Sequence, residues 1–152
     1  MAVQERTLTN RHRVVAEHET HGGVPLEVIV LHTTTNATLQ ALRTAARLAE
    51  GLAARIRLLV IETVPYPLPV NNPQVPVEFT KRRFRTVALD TSIDTHVDIR
   101  LGRDKKEMLE SALNPHSLVV VATKSGWWPT AEKRLAKRLE RLGHQVVVCD
   151  AN

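Results

Sequence analysis

Short, nearly continuous apolar runs recur along this chain, and segments with apolar residues at helical spacing lie between them. The first run occupies 26–31 and the second lies within 56–64, and each is typical of a strand that is buried on both faces. Between them, Asn36 is a favourable helix N-cap, and Gly51 can end the helix in the left-handed conformation. A strand–helix–strand unit of this kind predicts two parallel strands joined by a right-handed crossover.

The rest of the chain continues the alternation of helices and strands. Asp104 with Glu107 forms a plausible capping box, and Thr130 is a favourable cap for the last helix. The further helical and apolar segments occupy 77–89, 104–113, 117–123, 130–142 and 145–149.

The segment 93–101 differs from the other predicted strands, because apolar and polar residues alternate strictly along it. Alternation predicts a strand with one face in water, which places it at an edge of the sheet. The sequence therefore predicts an α/β fold, a doubly wound sheet of five parallel strands in the order 3-2-1-4-5 with helices on both faces.

Two parts of the chain lack this regular pattern. Residues 1–24 are predicted to form a poorly structured N-terminal arm, so that the α/β domain occupies 25–152. Five of the eight prolines fall within 65–76, which indicates a semi-rigid surface loop. The alternative for that loop is a ligand of a proline-recognition domain.

Composition narrows the class of protein. Of 152 residues, 43% are hydrophobic and 24% charged, which excludes a collagen-like or wholly disordered chain. The single cysteine, Cys149, cannot form an internal disulfide and is interpreted as a buried small hydrophobe. No apolar run approaches the roughly 20 residues of a membrane span, and the first residues do not form a secretory signal. These features predict a cytoplasmic protein with no membrane partner.

Polar residues follow the first and fourth strands, where the predicted strand order reverses. Ligands in such sheets bind beyond the carboxyl ends of these two strands. Hydroxyls, helix N-terminal amides and a lysine are suited to a phosphate or another anion, although the same residues also serve as ordinary helix caps. The predicted ligand-binding residues are Thr33, Thr34, Thr35 and Asn36 after the first strand, and Thr123, Lys124, Ser125 and Gly126 after the fourth.

The order and spacing of these segments resemble those of the universal stress proteins. The resemblance is carried by 38–42 and 45–49, which are similar to the first helix of that family, and by 55–64, which is similar to its second strand. A looser likeness covers 118–148. The resemblance implies a regulatory or interaction module with a role in stress response.

The chain departs from the family members that bind ATP. Those members have an aspartate, a glycine and a serine after the first strand, where this sequence has Thr33, Thr34 and Thr35. Their glycine motif after the fourth strand falls here on Ala122, Ser125 and Leu135. We therefore expect no ATP cofactor, because a side chain at these positions restricts the loop or crowds the phosphates. A nucleotide-binding protein or nucleotide hydrolase at the same site is the alternative.

A second resemblance concerns the flavodoxin phosphate loop. The pattern Thr33-x-Thr35-Asn36-x-Thr38 is similar to it, and Trp127 or Trp128 is placed to flank a flavin. Flavodoxins are acidic and take their flanking aromatics from two loops, whereas this chain has a net charge of +5 and one such loop. FMN is therefore not expected either.

No catalytic or metal-binding motif is found. The sequence has neither a nucleophile elbow nor a phosphate-binding P-loop, so no catalytic residue is predicted. The pair His18 and His21 is interpreted as part of the solvated arm, because a metal site needs more ligands. His32 ends the first strand, where a histidine either titrates near neutrality and acts on a ligand or, more commonly, hydrogen-bonds a neighbouring loop.

Basic residues cluster within 81–85 and along the last helix, where Leu135, Leu139 and Leu142 are predicted to face the core. A solvated helix face explains these clusters without a partner. Nucleic acid is the alternative, but in the sequence no aromatic stacking platform accompanies the basic helix.

The last strand is apolar although the predicted order places it at an edge of the sheet. An unprotected apolar edge favours pairing with another strand. The family resemblance implies a homodimer that pairs these strands, and the alternative is that the N-terminal arm covers the edge. The predicted interface consists of Gln145, Val146, Val147 and Val148.

Overall fold

The structure is a computed structural model in which residues 26–66, 68–70, 77–89 and 94–151 are described. Strands and helices alternate along the chain, as predicted. The predicted arm and residues 67 and 71–76 of the proline-rich loop lie outside the described residues. The elements are β1 (Glu27–Leu31), α1 (Thr35–Leu52), β2 (Arg55–Thr63), α2 (Val77–Leu89), β3 (Thr95–Gly102), α3 (Lys105–Ala112), β4 (Leu118–Thr123), α4 (Ala131–Arg141) and β5 (Gln145–Asp150).

The five strands form one parallel sheet in the order β3-β2-β1-β4-β5, which confirms the predicted topology. Each helix packs on the sheet through its apolar side chains. Leu42 of α1 and Phe84 of α2 belong to the core on one face, whereas Leu109 of α3 and Leu139 of α4 belong to the core on the other. The crossovers therefore place two helices on each face of the sheet.

Strands β1 and β4 form the centre of the molecule and pair directly, with Val28 opposite Leu118. Both strands are covered by helices on both faces, so nearly all of their side chains are buried. This explains why these two segments are almost continuously apolar. It also brings their carboxyl ends to the same edge of the sheet.

The predicted caps of α1 were wrong. The helix starts after Thr34, whose side chain accepts a hydrogen bond from the backbone N–H of Ala37 at 3.3 Å. It ends at Ala53, which has the left-handed conformation (φ 50°), and Gly51 lies within the helix. Threonine is an adequate N-cap, and the bonds from the Ala53 N–H to the last carbonyls compensate for its unfavourable φ.

The other predicted caps are confirmed. Asp104 precedes α3 and accepts hydrogen bonds from the N–H groups of Lys106 and Glu107 at 2.8 and 3.1 Å. Thr130 precedes α4 and accepts from the N–H of Lys133 at 3.2 Å. Both caps lie at the edge of the sheet where β1 and β4 end.

Two predicted core positions are less buried than expected. Leu142 is 48% exposed because it is the C-cap of α4 and no longer follows the helical face of Leu139. Cys149 is half-buried, since it lies on the edge strand, and it packs against one core cluster.

Strand β3 is an edge strand as predicted, but the expectation that one of its faces is in water was wrong. Asp98 lies on the polar side of the alternation and is only 2% exposed. Arg57 of the neighbouring strand faces it and is 8% exposed. Helix α3 packs over this part of the sheet, so that charged side chains occupy a buried layer.

These charges form a network that joins three strands and a helix. The Nη1 of Arg57 donates to Asp98 Oδ2 at 3.2 Å, and its Nη2 donates to the carbonyl of Ala112 at 3.0 Å. The Nε of Arg57 lies 3.1 Å from a carboxylate oxygen of Glu27. The Nε of Arg100 donates to Asp98 Oδ1 at 3.1 Å. Because Ala112 is the last residue of α3, the network also satisfies a carbonyl at the end of that helix.

Replacing Asp98 with alanine is expected to lower the free energy of unfolding by about 3–5 kcal/mol, because it removes the buried carboxylate that pairs with both Arg57 and Arg100. The matched control is Asp94→Ala, since Asp94 is 60% exposed and lies 4.0 Å from Arg55. An exposed pair of this kind contributes about 0–1 kcal/mol. Urea unfolding followed by circular dichroism measures both. Equal losses in the two variants would contradict the structural role of the network.

Candidate functional site

The segment after β1 is held in place by its own threonines. The Oγ1 of Thr38, which is 1% exposed, donates to the carbonyl of Thr34 at 2.7 Å and accepts from the N–H of Thr33 at 3.4 Å. Thr34 caps α1, so the capping interpretation holds for this residue. Thr35 Oγ1 accepts a hydrogen bond from Arg83 of α2. Asn36 is exposed.

Thr33 and Thr34 line a cavity of about 770 Å³. The Oγ1 of Thr33 is buried and has no hydrogen-bond partner among the described residues. The size of the cavity lies within the range of small-molecule sites.

The cavity lies between α3 and α4 and is strongly basic. Leu109 and Leu135 supply apolar lining, and Glu132 is the one acidic residue among those that line it. Lys105 and Ala131, the first residues of the two helices, also line it, and partial positive charge is concentrated at such helix N-termini. The basic lining residues are Lys105, Lys106, Arg134, Lys137, Arg138 and Arg141.

Among these basic residues, Arg138 forms an ion pair, between its guanidinium and the carboxylate of Glu110 of α3. That pair joins the two helices across the cavity. In the part of the chain that the structure describes, no ion pair is found for Lys105, Lys106 or Arg134. The cavity therefore presents an excess of positive charge.

The second predicted segment does not reach this cavity. Thr123 is 5% exposed at the end of β4, whereas Lys124, Ser125 and Gly126 are exposed in the following loop. The carbonyl of Gly126 accepts a hydrogen bond from the Nζ of Lys133, which holds the loop on α4. Of the predicted ligand-binding residues, the structure places only Thr33 and Thr34 at the cavity wall.

The basic residues of α4 are exposed or half-buried, as predicted, but their proximity to the basic residues of α3 was not predicted. In the sequence, β4 lies between Lys105 and Lys106 of α3 and the basic residues Arg134 and Lys137 of α4. Only the packing of α3 beside α4 brings these residues together. The sequence contained one signal for this proximity. Asp104, as a helix cap, marks a second helix N-terminus at the edge of the sheet where β1 ends.

His32 adjoins the site and does not titrate near neutrality. Burial, followed by the charges of Arg83 and Lys105, lowers the pKa of His32 from 6.5 to about 4. Its ring makes an edge-on contact with Phe84, with centroids 4.5 Å apart. The imidazole is therefore neutral at pH 7, and the positive charge around it has two sources, α2 and α3.

The predicted interface strand is open on one side in the described structure, where β5 pairs only with β4. Gln145 is exposed, Val146 and Val147 are half-buried, and Val148 is 49% exposed. Val146 packs towards one face of the sheet and Val147 towards the other.

Among the described residues, no group of three or more histidine, cysteine or acidic side chains is close enough to hold a metal ion. The pair His18 and His21 lies outside the described residues. No described helix combines the length and the apolar character needed to cross a membrane.

The low pKa of His32 makes stability depend on pH. An unfolded histidine takes up a proton near pH 6.5 and His32 only near pH 4, so the unfolded chain binds more protons between these values. The free energy of unfolding should therefore fall as the pH is lowered from 6.5 towards 4, and His32→Gln should reduce this fall. Urea unfolding at pH 7 and pH 5 measures it, with His116→Gln, at an exposed histidine, as control. An unchanged pH dependence in His32→Gln would contradict the assignment.

Comparisons with protein-family models and with curated proteins found no match. Among solved structures, one match is described as the crystal structure of a universal stress protein in complex with cAMP. It has a TM-score of 0.53 and 16% sequence identity, and the alignment covers 86% of this chain and all of the other. Together with the strand order, this likeness shows that the chain has the fold of the universal stress proteins.

Proposed function

We propose that this chain is a universal-stress-like regulatory or interaction module that binds a small phosphate-bearing ligand in the cavity between α3 and α4. The observation that carries the proposal is the charge of the cavity, which is lined by six basic residues and one acidic residue, with Arg138 also paired to Glu110. Such an excess of positive charge is unfavourable unless an anion or solvent compensates it. The cytoplasm is the compartment expected for this role.

The lining is better suited to a phosphate group than to a simple carboxylic acid. The N-termini of α3 and α4 both border the cavity, and the partial positive charge of the two helix ends adds to that of the basic side chains. The N–H groups of Lys106, Glu107 and Lys133 are bonded to the caps of these helices, so the side-chain cations are the main phosphate-binding groups. Thr33 and Thr34 add polar side chains to the lining. Leu109 and Leu135 supply an apolar surface for the remainder of the ligand.

A nucleoside monophosphate, cyclic or linear, is the first ligand to test, and ATP is not the ligand that we propose. The solved universal stress protein that resembles this chain is in complex with cAMP. Two positions of the ATP-binding glycine motif lie inside regular elements here, Ala122 within β4 and Leu135 within α4. We therefore do not expect ATP to bind in the way that the ATP-binding members of the family bind it, through the loop after β4.

Binding is expected to raise the melting temperature with AMP or cAMP more than with ATP or FMN. At a hundred times its dissociation constant, a ligand adds about 2.7 kcal/mol, which is a shift of several degrees for a domain of this size. Lys105→Glu should remove the shift, because it reverses a charge at the cavity wall and at the N-terminus of α3.

The matched control is Arg43→Glu, at an exposed arginine of α1 on the other face of the sheet. This variant should keep the full shift. Absence of a shift with all four compounds would contradict the proposed ligand class. A larger shift with ATP would contradict the exclusion of ATP, and turnover of ATP lost in Lys105→Glu would favour the nucleotide hydrolase instead.

We also propose that the chain forms a homodimer through β5. The open strand edge and the exposed Val148 support this, because a free apolar edge favours strand addition. The alternative partner of the edge, the N-terminal arm, lies outside the described residues.

The mass in solution tests the dimer directly. Wild-type protein is expected to have twice the mass of one chain by light scattering, and Val148→Lys to have the mass of one chain, since lysine protects strand edges. Leu26→Lys is the control, because Leu26 is also about half exposed (51%) but precedes β1. A wild-type monomer at all concentrations would contradict the proposal.

A further inference from the structure

Both tryptophans of the chain are exposed on one loop. Trp127 is 94% exposed and Trp128 is 78% exposed, in the loop between β4 and α4. Their ring centroids lie 6.4 Å apart. Exposure of two adjacent large aromatic rings is costly in water, and such a surface is typical of a contact with another molecule.

Trp127 lies beside the basic helix. A second, smaller cavity of about 320 Å³ runs between α4 and β5, and Trp127 and Pro129 line it together with Lys133 and Lys137. The expectation that no aromatic platform accompanies the basic helix was therefore wrong. Arg134 also lines it, and Glu140 is its one acidic lining residue.

The cations on this side of the molecule follow the helix axis. Arg134, Lys137 and Arg141 are exposed and recur every three or four residues, which is about 5 Å along an α-helix. No ion pair is found for these three within the described residues. Lys133 holds the tryptophan loop against α4 through its bond to the carbonyl of Gly126. Arg134 and Lys137 line the second cavity together with Trp127, and Arg141 continues the row along α4. We call the two tryptophans and these three cations the α4–tryptophan surface; its cations also border the cavity between α3 and α4.

We propose that the α4–tryptophan surface binds single-stranded nucleic acid. Its chemistry is that of single-strand-binding proteins, in which cations contact successive phosphates and aromatic rings stack on the bases. A duplex does not fit this description, because its bases are already stacked inside. Charge complementarity favours a polyanion, and the two rings favour a polyanion with planar bases over an acidic polypeptide.

The tryptophans themselves report binding. Titration of the intact protein with an oligouridylate of about 12 nucleotides, a length that such modules cover, should quench the tryptophan fluorescence. The logarithm of the association constant should fall with the logarithm of salt concentration with a slope near −2, as expected for about three phosphate contacts.

Two variants separate stacking from charge. Trp127→Ala should weaken binding by at least about fivefold, because stacking is lost at a side chain that has little role in the fold. Lys137→Glu with Arg141→Glu should weaken it by more than about tenfold and flatten the salt slope. Arg43→Glu with Arg47→Glu, the same charge change at exposed positions of α1, is the matched control and should leave binding unchanged.

Other occupants of the surface give different results. If poly-glutamate competes with the oligouridylate equally well, and Trp127→Ala does not weaken binding, the surface is a site for acidic polypeptides and the proposal is overturned. Fluorescence that changes with protein concentration but not with the oligonucleotide would show an interface between copies, and would overturn it as well. Lys105→Glu, which removes the proposed small-ligand site, should retain oligonucleotide binding, so failure of one proposal is distinguishable from failure of the other.

Discussion

The parallel pairing of β1 with β4 is the interaction on which the rest of the structure depends. It lies where the chain changes from one face of the sheet to the other, with α1 and α2 on one side and α3 and α4 on the second. Because both strands are buried on both faces, their register is set by core packing. The pairing brings the segment after β1 to the edge of the sheet where α3 and α4 begin. The basic cavity is formed by this segment and the two helices.

The order and type of the elements could be predicted from the sequence because each has a strong local signal. Continuous apolar runs marked the central strands, and Asp104 and Thr130 marked the starts of two helices. The errors in the fold have long-range causes. The polar side of β3 is buried because Asp98 pairs with Arg57, a residue 41 positions away, and no local pattern reports such a partner.

The candidate site was predictable in part. Topology alone pointed to Thr33 and Thr34, because they follow β1 at the reversal of strand order. The cations opposite them were not predictable, since Lys105 and Arg134 belong to separate helices that meet only after the sheet has formed. In the same way, Trp127 reaches the basic helix only because its loop folds back onto α4. The low pKa of His32 was not predictable either, because a sequence does not report the burial that lowers it.

The central claim is that the cavity between α3 and α4, and not the loop after β4, is where the phosphate-bearing ligand binds. Amide chemical-shift mapping by NMR during titration with AMP tests it most directly. The account predicts that the largest changes occur at Thr33, Thr34, Lys105 and Arg134, with smaller ones at Lys124 and Ser125. Changes confined to the loop after β4, with α3 unaffected, would contradict it.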